Sequence, residues 1–292
     1  MKKSDRNALV ALPIVVVIAA LVAVAGSQGG STVGGLPVFA LCVIIAFAIQ
    51  WIAFVPAYLL QTERFFDLTG SLTYIVVAVV AVLLSTEAGA RAFLLLAMVV
   101  IWAVRLGSYL FLRIRKAGAD KRFDDIKPSF PRFLNTWTLQ ALWVTLTLAA
   151  ALAAITSTQR VALGTVTAIG LVVWVVGIGL EAAADAQKSR FRADPANKGR
   201  FIHSGLWSWS RHPNYFGEIL LWVGVAVVAL PVLRGWQWVT LISPVFVALL
   251  LLRVSGVPML EKAADEKWGG QADYEAYKSR TSVLVPRPPS KT

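Results

Sequence analysis

Eight apolar runs divide this chain, and they leave little choice of fold. They lie at about Ala8–Ala25, Leu36–Leu60, Leu72–Leu84, Ala92–Leu112, Leu139–Ile155, Leu163–Leu180, Tyr215–Leu230 and Trp238–Leu252. A bilayer core takes roughly 20 apolar residues per helical span. In lipid each backbone amide and carbonyl must be satisfied within the chain, so runs of this length form helices. Composition agrees: 57% of the 292 residues are hydrophobic and 15% are charged. Soluble domains sit near 45–50% and about 25%. The expectation is an all-α, polytopic integral membrane bundle of seven to eight transmembrane helices, the shorter runs leaving the count open.

The net charge of +12 would ordinarily raise nucleic acid as a partner. Its distribution points elsewhere. With Lys2, Lys3 and Arg6 placed in the cytoplasm, eight spans put Arg64, the basic residues of 113–132, those of 188–211 and the tail from Arg253 on that same side. The opposite side keeps only Arg91, Arg160 and Arg234. That asymmetry is the positive-inside pattern, and it predicts both termini in the cytoplasm, a lipid bilayer as partner and no nucleic acid. Ala23-Val24-Ala25 resembles a signal-peptide cleavage site, but further spans follow at once, so a retained first span is expected. Cys42, the single cysteine, lies in an apolar run and reads as a packing residue. The segment Gly29–Pro37 reads as a flexible external turn. Trp51, Trp207, Trp209, Trp236 and Trp238 lie near span ends, as interfacial belts do. Gly177 and Gly179 form a G-x-G with no strand before it, which suits close helix packing rather than a dinucleotide fold.

Chemistry concentrates between Glu181 and Glu218. Glu181 and Asp185 are four apart on one helix face, and so are Asn214 and Glu218. Between them stand Lys188, Arg190, Arg192, an Asp194-Pro195 turn and Arg200, with both histidines of the chain, His203 and His212. Ionisable groups in a membrane helix are costly and usually line a cavity. Arginine forks suit phosphate oxygens, while carboxylates and an amide suit ribose hydroxyls or a carboxamide. The set fits a nucleotide; the lesser alternative is that Glu218 ties the loop down through an arginine. His203 and His212 are nine apart with no cysteine near, so no metal is expected. His212-Pro213 presents a helix start, where the imidazole could meet an anion, and Tyr215 begins the seventh span beside it. A second cluster, Gln61–Tyr74, holds Glu63, Arg64, Asp67 and Tyr74. It reads either as a turn closed by a local ion pair or as a donor set reaching into a cavity, with Arg105 as a possible carboxylate partner. The tail after Arg253 reads as a polar segment on headgroups or as a lid that brings Arg253 near a phosphate.

These residues carry a resemblance. The stretches "GLWSWSRHPNYFGEILLWVG", "FFDLTGSLTY" and "RLGSYLFLRIRKAGADKRFDDIK" resemble a bacterial membrane family related to the steroid 5-alpha-reductases, from about Pro56 to Pro286. The resemblance implies that Asp185, Arg192, Arg200, Asn214 and Glu218 hold NADPH, with Glu181 where that family tends to have an amide, and with Lys188, His212, Tyr215 and Arg253 nearby. It implies hydride transfer to a conjugated C=C bond of a steroid or lipid enone, with Glu63 and Tyr74 as catalytic residues at the carbonyl oxygen. Trp102 stands near the family's usual tyrosine, and Val257 and Pro258 replace an expected histidine. The chain then reads as one membrane domain, 1–292, with a substrate cavity in 1–135 and a cofactor pocket in 136–292, a monomer in a bacterial inner membrane. "RHPNYFG" also resembles isoprenylcysteine carboxyl methyltransferases, which implies S-adenosylmethionine as the alternative cofactor. A non-enzymatic membrane scaffold is the third reading.

Overall fold

The computed structural model describes residues 2–86, 88–117 and 120–288. It is helical almost throughout. Its long helices are α1 (Lys3–Ser27), α2 (Val38–Leu59), α3 (Phe66–Leu84), α4 (Ala90–Ala117), α5 (Phe130–Thr156), α6 (Thr165–Ala193) and α7 (Pro213–Ala229). Three shorter ones follow: α8 (Ile242–Leu249), α9 (Val257–Trp268) and α10 (Ala272–Arg280). Eight helical stretches among the described residues are long and apolar enough to cross a bilayer, which makes eight candidate spans. The last stretch, Gly235–Trp268, has 34 residues. At 1.5 Å per residue it would run to about 50 Å, more than a hydrocarbon core of about 30 Å needs. It breaks near Gly256, and the polar α9 follows.

The third run gains most over its sequence reading. Thr69, Ser71 and Thr73 interrupt its apolar pattern, yet α3 starts at Phe66. The hydroxyls of Ser71 and Thr73 donate to the carbonyls of Asp67 and Thr69, so they are satisfied inside the helix. The Gly29–Pro37 segment is more ordered than expected. β1 (Thr32–Val33) and β2 (Leu36–Pro37) pair antiparallel across Gly34 and Gly35, whose φ angles are 57° and 82°. A two-residue hairpin of the right twist requires positive φ at both central positions, hence the glycine pair.

The chain divides into two compact units: residues up to Thr167 with Val228–Ser243, and Ala168–Val227 with the chain from Pro244. In the first, α5 is the hub, packed against α1, α2, α3 and α4. Its most apolar window is 83% buried because the run from Val144 to Thr156 has no polar face beyond threonines, and a helix that is apolar all round belongs inside. Polar groups here find partners: Gln50 donates to Thr73 at 2.8 Å and Trp51 to Thr138 at 3.1 Å. Arg91, at the start of α4, is buried and donates to Thr167 Oγ1 and to the carbonyls of Val161, Ala162 and Val228. Arg234 likewise spends its guanidinium on the carbonyls of Pro231 and Leu233.

In the second unit, α6 and α7 touch backbone to backbone. A Cβ at Gly177 would come 2.5 Å from the Leu221 nitrogen, and one at Gly217 would come 2.6 Å from the Glu181 nitrogen. Gly224 meets Trp174 and Gly170 in the same way. Glycines seven apart on each helix thus make the seam, as small residues do in lipid. Gly179 meets nothing within 4 Å, so of the G-x-G pair only Gly177 packs closely.

Candidate functional site

The α6–α7 seam ends in a polar cluster. Asn214, in the first turn of α7, donates to Asp185 Oδ1 at 3.3 Å. Asp185 and Glu181 are both buried, one turn apart on α6, and Gly217 is seated directly on Glu181. The sequence therefore delivers two of its predicted ligands as a bonded pair. Along α6, three residues past Asp185, Lys188 lies 4.3 Å over the Trp207 ring, a cation–π contact. Trp207 is buried and donates to the Ala184 carbonyl at 3.1 Å. Gly205 has φ of 61°, and a Cβ there would meet the Gln187 amide; that amide oxygen accepts from the Leu206 N–H at 2.9 Å. Asp194 caps the short turn Pro195–Asn197 by accepting from Ala196. These contacts fold the 194–212 loop back on the end of α6.

The C-terminal segment covers that loop. Tyr277 donates to the Trp207 carbonyl at 2.8 Å and Trp268 to the Gly199 carbonyl at 2.6 Å. Phe201 is ringed by Trp268, Tyr274 and Tyr277, with centroids 5.2–5.9 Å away. Burial keeps the Tyr277 phenol protonated, well above its usual range, and Tyr274 is raised by burial and by its bond to Asp265. Ser210 and Ser282 form a parallel bridge.

Between loop and segment lies a cavity of about 330 Å³, at the small end of ligand pockets. Lys188, Arg192, Arg200, Arg211 and Lys267 supply positive charge, and Phe201, Trp207, Trp268, Tyr274 and Tyr277 supply rings. Its one carboxylate, Glu261, is paired with Arg211 at 3.3 Å and His212 at 2.8 Å. His212 is buried; burial, with Lys188 and Arg211 close by, holds its imidazole below the ordinary range despite Glu261. Its Nδ1 has no protein partner among the described residues. Of the predicted ligands, Lys188, Arg192, Arg200 and His212 border this cavity. Glu181, Asp185, Asn214, Tyr215, Glu218 and Arg253 do not. Tyr215 stacks on His212 at 5.5 Å, and Arg253 is exposed in a π turn, Leu250–Val254. Sequence reasoning passed over Arg211, Glu261, Lys267 and the aromatic wall. The available signal was Tyr274 and Tyr277, three apart on one face of an otherwise polar tail.

The second predicted cluster lies in the first unit. Glu63, in the turn before α3, is buried; its Oε1 accepts from the Asp120 N–H at 2.9 Å and its Oε2 pairs with Lys127 at 2.6 Å. Burial works against its charge, but Lys127 and the Asp120 amide outweigh it and hold the carboxyl below its usual range. An ionised carboxylate accepts and has no hydrogen to give a carbonyl oxygen. As placed, Glu63 closes the 120–127 loop through an ion pair with a residue 64 positions away, not through the local pair of a solvated turn that was one of its two sequence readings. Asp67 lies 3.9 Å from Arg113, while Arg105 has contacts of its own. Tyr74 is buried nine residues into α3, edge-on to Trp102 at 4.9 Å. Its helix position puts it about 12 Å along the axis from Phe66. Among the described residues no group of three metal-ligating side chains converges.

The donor set can be tested against NADPH on its own chemistry. Five cations and a buried imidazole acceptor match phosphates and ribose hydroxyls, and the rings match a base; the residues fit. No curated protein and no solved structure matches the chain. A family profile described as "protein of unknown function (DUF1295)" matches residues 53–281, more than half of the 292, and the chain is a membrane-embedded helical member of that DUF1295 family.

Proposed function

We propose that this protein is a membrane-embedded NADPH-dependent reductase of a C=C bond conjugated to a carbonyl in a lipid enone. The observation that carries the reading is the cavity between the 194–212 loop and α9–α10, where cations and aromatic rings share one wall. The resemblance of the Asp185–Glu218 stretch to steroid 5-alpha-reductases supplies the cofactor and the reaction class. Arg192, Arg200 and Lys267 hold phosphate oxygens, with Arg192 and Arg200 the groups that favour a 2′-phosphate. Trp268 or Tyr274 stacks the base. Outside the cavity lining, the Asp185–Asn214 pair, with Glu181 and Glu218, is the further polar surface that would meet ribose and carboxamide groups of a cofactor extending beyond it. NADPH, when bound, supplies a hydride to the β-carbon, and a proton completes the α-carbon. Tyr74, a phenol with a hydrogen to give, is the residue to polarise the substrate oxygen. Glu63 contributes by fixing the loop that follows α4.

Ligand-induced stabilisation of the detergent-solubilised chain tests this. A ligand at a hundred times its Kd stabilises by about 2.7 kcal/mol. NADPH should raise the unfolding temperature and S-adenosylmethionine should not. Stabilisation by the methyl donor alone would replace the reading with a methyltransferase, and a response to neither fits a scaffold. S-adenosylmethionine has no phosphate, so the five cations count against it.

A further inference from the structure

Glu261 stands between two side chains that border the cavity. Its Oε1 is 2.8 Å from His212 Nε2 and its Oε2 is 3.3 Å from Arg211. A carboxylate paired with a guanidinium offers only acceptors, so the hydrogen shared with His212 belongs to Nε2. The groups facing the ring are Glu261 of α9, Lys188 of α6, Arg211 of the preceding loop and, stacked on it, Tyr215 of α7. Burial and two neighbouring cations oppose a second proton, and among the described residues Nδ1 has no partner that would receive one. The imidazole is therefore neutral, and Nδ1 carries a lone pair.

We propose that Glu261 is a positioning residue of this cavity: it fixes His212 as the Nε2–H tautomer and aligns Arg211 beside it. A ligand then meets one neutral acceptor set among cations. That combination selects an anion that also carries a hydroxyl or amino donor. A ribose phosphate has both, its donor on a sugar hydroxyl separate from the phosphate; a phosphodiester without a hydroxyl or amino group does not. The inference rests on the NADPH reading only for the ligand's identity.

Selective ¹⁵N-histidine NMR of the full chain in detergent reads the tautomer directly. The chain has two histidines, so His203→Gln assigns the His212 signals. Near neutral pH the wild type should show Nε2 protonated and Nδ1 bare. Glu261→Gln should give mixed tautomers and bind NADPH about tenfold more weakly. The direction is diagnostic: removing a negative charge beside an anion site would by Coulomb attraction alone tighten binding. A wild-type imidazolium or Nδ1–H form, an unchanged tautomer in Glu261→Gln, or equal or tighter binding would overturn the proposal. If Glu261→Gln does not fold, the wild-type signature and Glu261→Asp decide it. If the wild type binds no NADPH, the reductase reading fails while the ring signal still settles the role of Glu261.

Discussion

Lys127 Nζ lies 2.6 Å from Glu63 Oε2, across 64 residues of chain, and both side chains are largely withdrawn from solvent. The pair joins the α2–α3 turn to the loop before α5. Each partner's titration follows from it. Glu63 titrates lower in the folded chain than in the unfolded one, so its contribution is present above the unfolded value and is lost as pH falls through the folded one. Lys127 titrates higher when folded, chiefly through its bond to Glu63, so its contribution is lost as pH rises past the ordinary lysine value. Stability should therefore fall at both acidic and strongly alkaline ends. Glu63→Gln should cost about 2 kcal/mol and flatten the acid limb. Because the residues touch, Glu63→Gln with Lys127→Met should cost less than the two singly. Additive losses in chemical unfolding would mean that the pair does not couple.

A second prediction concerns Arg91. One buried guanidinium serves four acceptors: three backbone carbonyls and the Thr167 hydroxyl. Arg91→Met keeps the apolar stem and leaves the Thr167 hydroxyl and the three carbonyls without their shared donor, at a cost of about 2 kcal/mol. Arg91→Lys has three donors on a point charge instead of a planar fork and should recover less than half of that. Apparent unfolding temperatures in detergent rank the three proteins, and a full rescue by lysine would show that charge, not geometry, matters here.

The sequence made the spans legible because burying apolar length is a local property, read residue by residue. It was weaker wherever a polar side chain satisfies itself. Ser71 and Thr73 bond back to their own helix, and α3 starts six residues ahead of its apolar run. At the candidate site, the arginines and the Asp185–Asn214 pair were visible as unusual charge beside a span. Arg211 and Glu261 were not, since their pairing joins residues 50 apart through a fold that no local period encodes. Glu63 was visible as an acid at a membrane edge, but its partner Lys127 counted only as topology.

The α6–α7 seam gives a third prediction. A Cβ at Gly217 would sit 2.6 Å from both the Glu181 nitrogen and the Gly177 oxygen. Those are backbone atoms of a packed helix, so the helices must part rather than a side chain turn. Gly217→Ala should cost about 1–3 kcal/mol and also loosen the Asp185–Asn214 bond one turn away. The same change at Gly179, which meets nothing within 4 Å, should leave stability within about 0.5 kcal/mol and serves as the control. Equal effects at the two glycines would remove the seam as the cause.

The cavity cations carry the last prediction. Arg192 and Arg200 border the cavity yet are largely exposed, so each contact is screened and modest, about 1 kcal/mol or roughly fivefold in affinity. Arg192→Ala and Arg200→Ala should each weaken NADPH binding by about that factor, and raising salt from about 0.05 to 0.5 M should weaken the wild type far more than the double variant. Trp268→Ala should lower affinity for NADPH and NADH alike, because stacking reads the base and not the 2′-phosphate. If instead either arginine variant weakens NADPH and NADH equally, that arginine meets the shared pyrophosphate, and the preference for a 2′-phosphate must come from Lys188, Arg211 or Lys267. If neither variant changes binding of any nucleotide, the positive wall of the cavity faces something else.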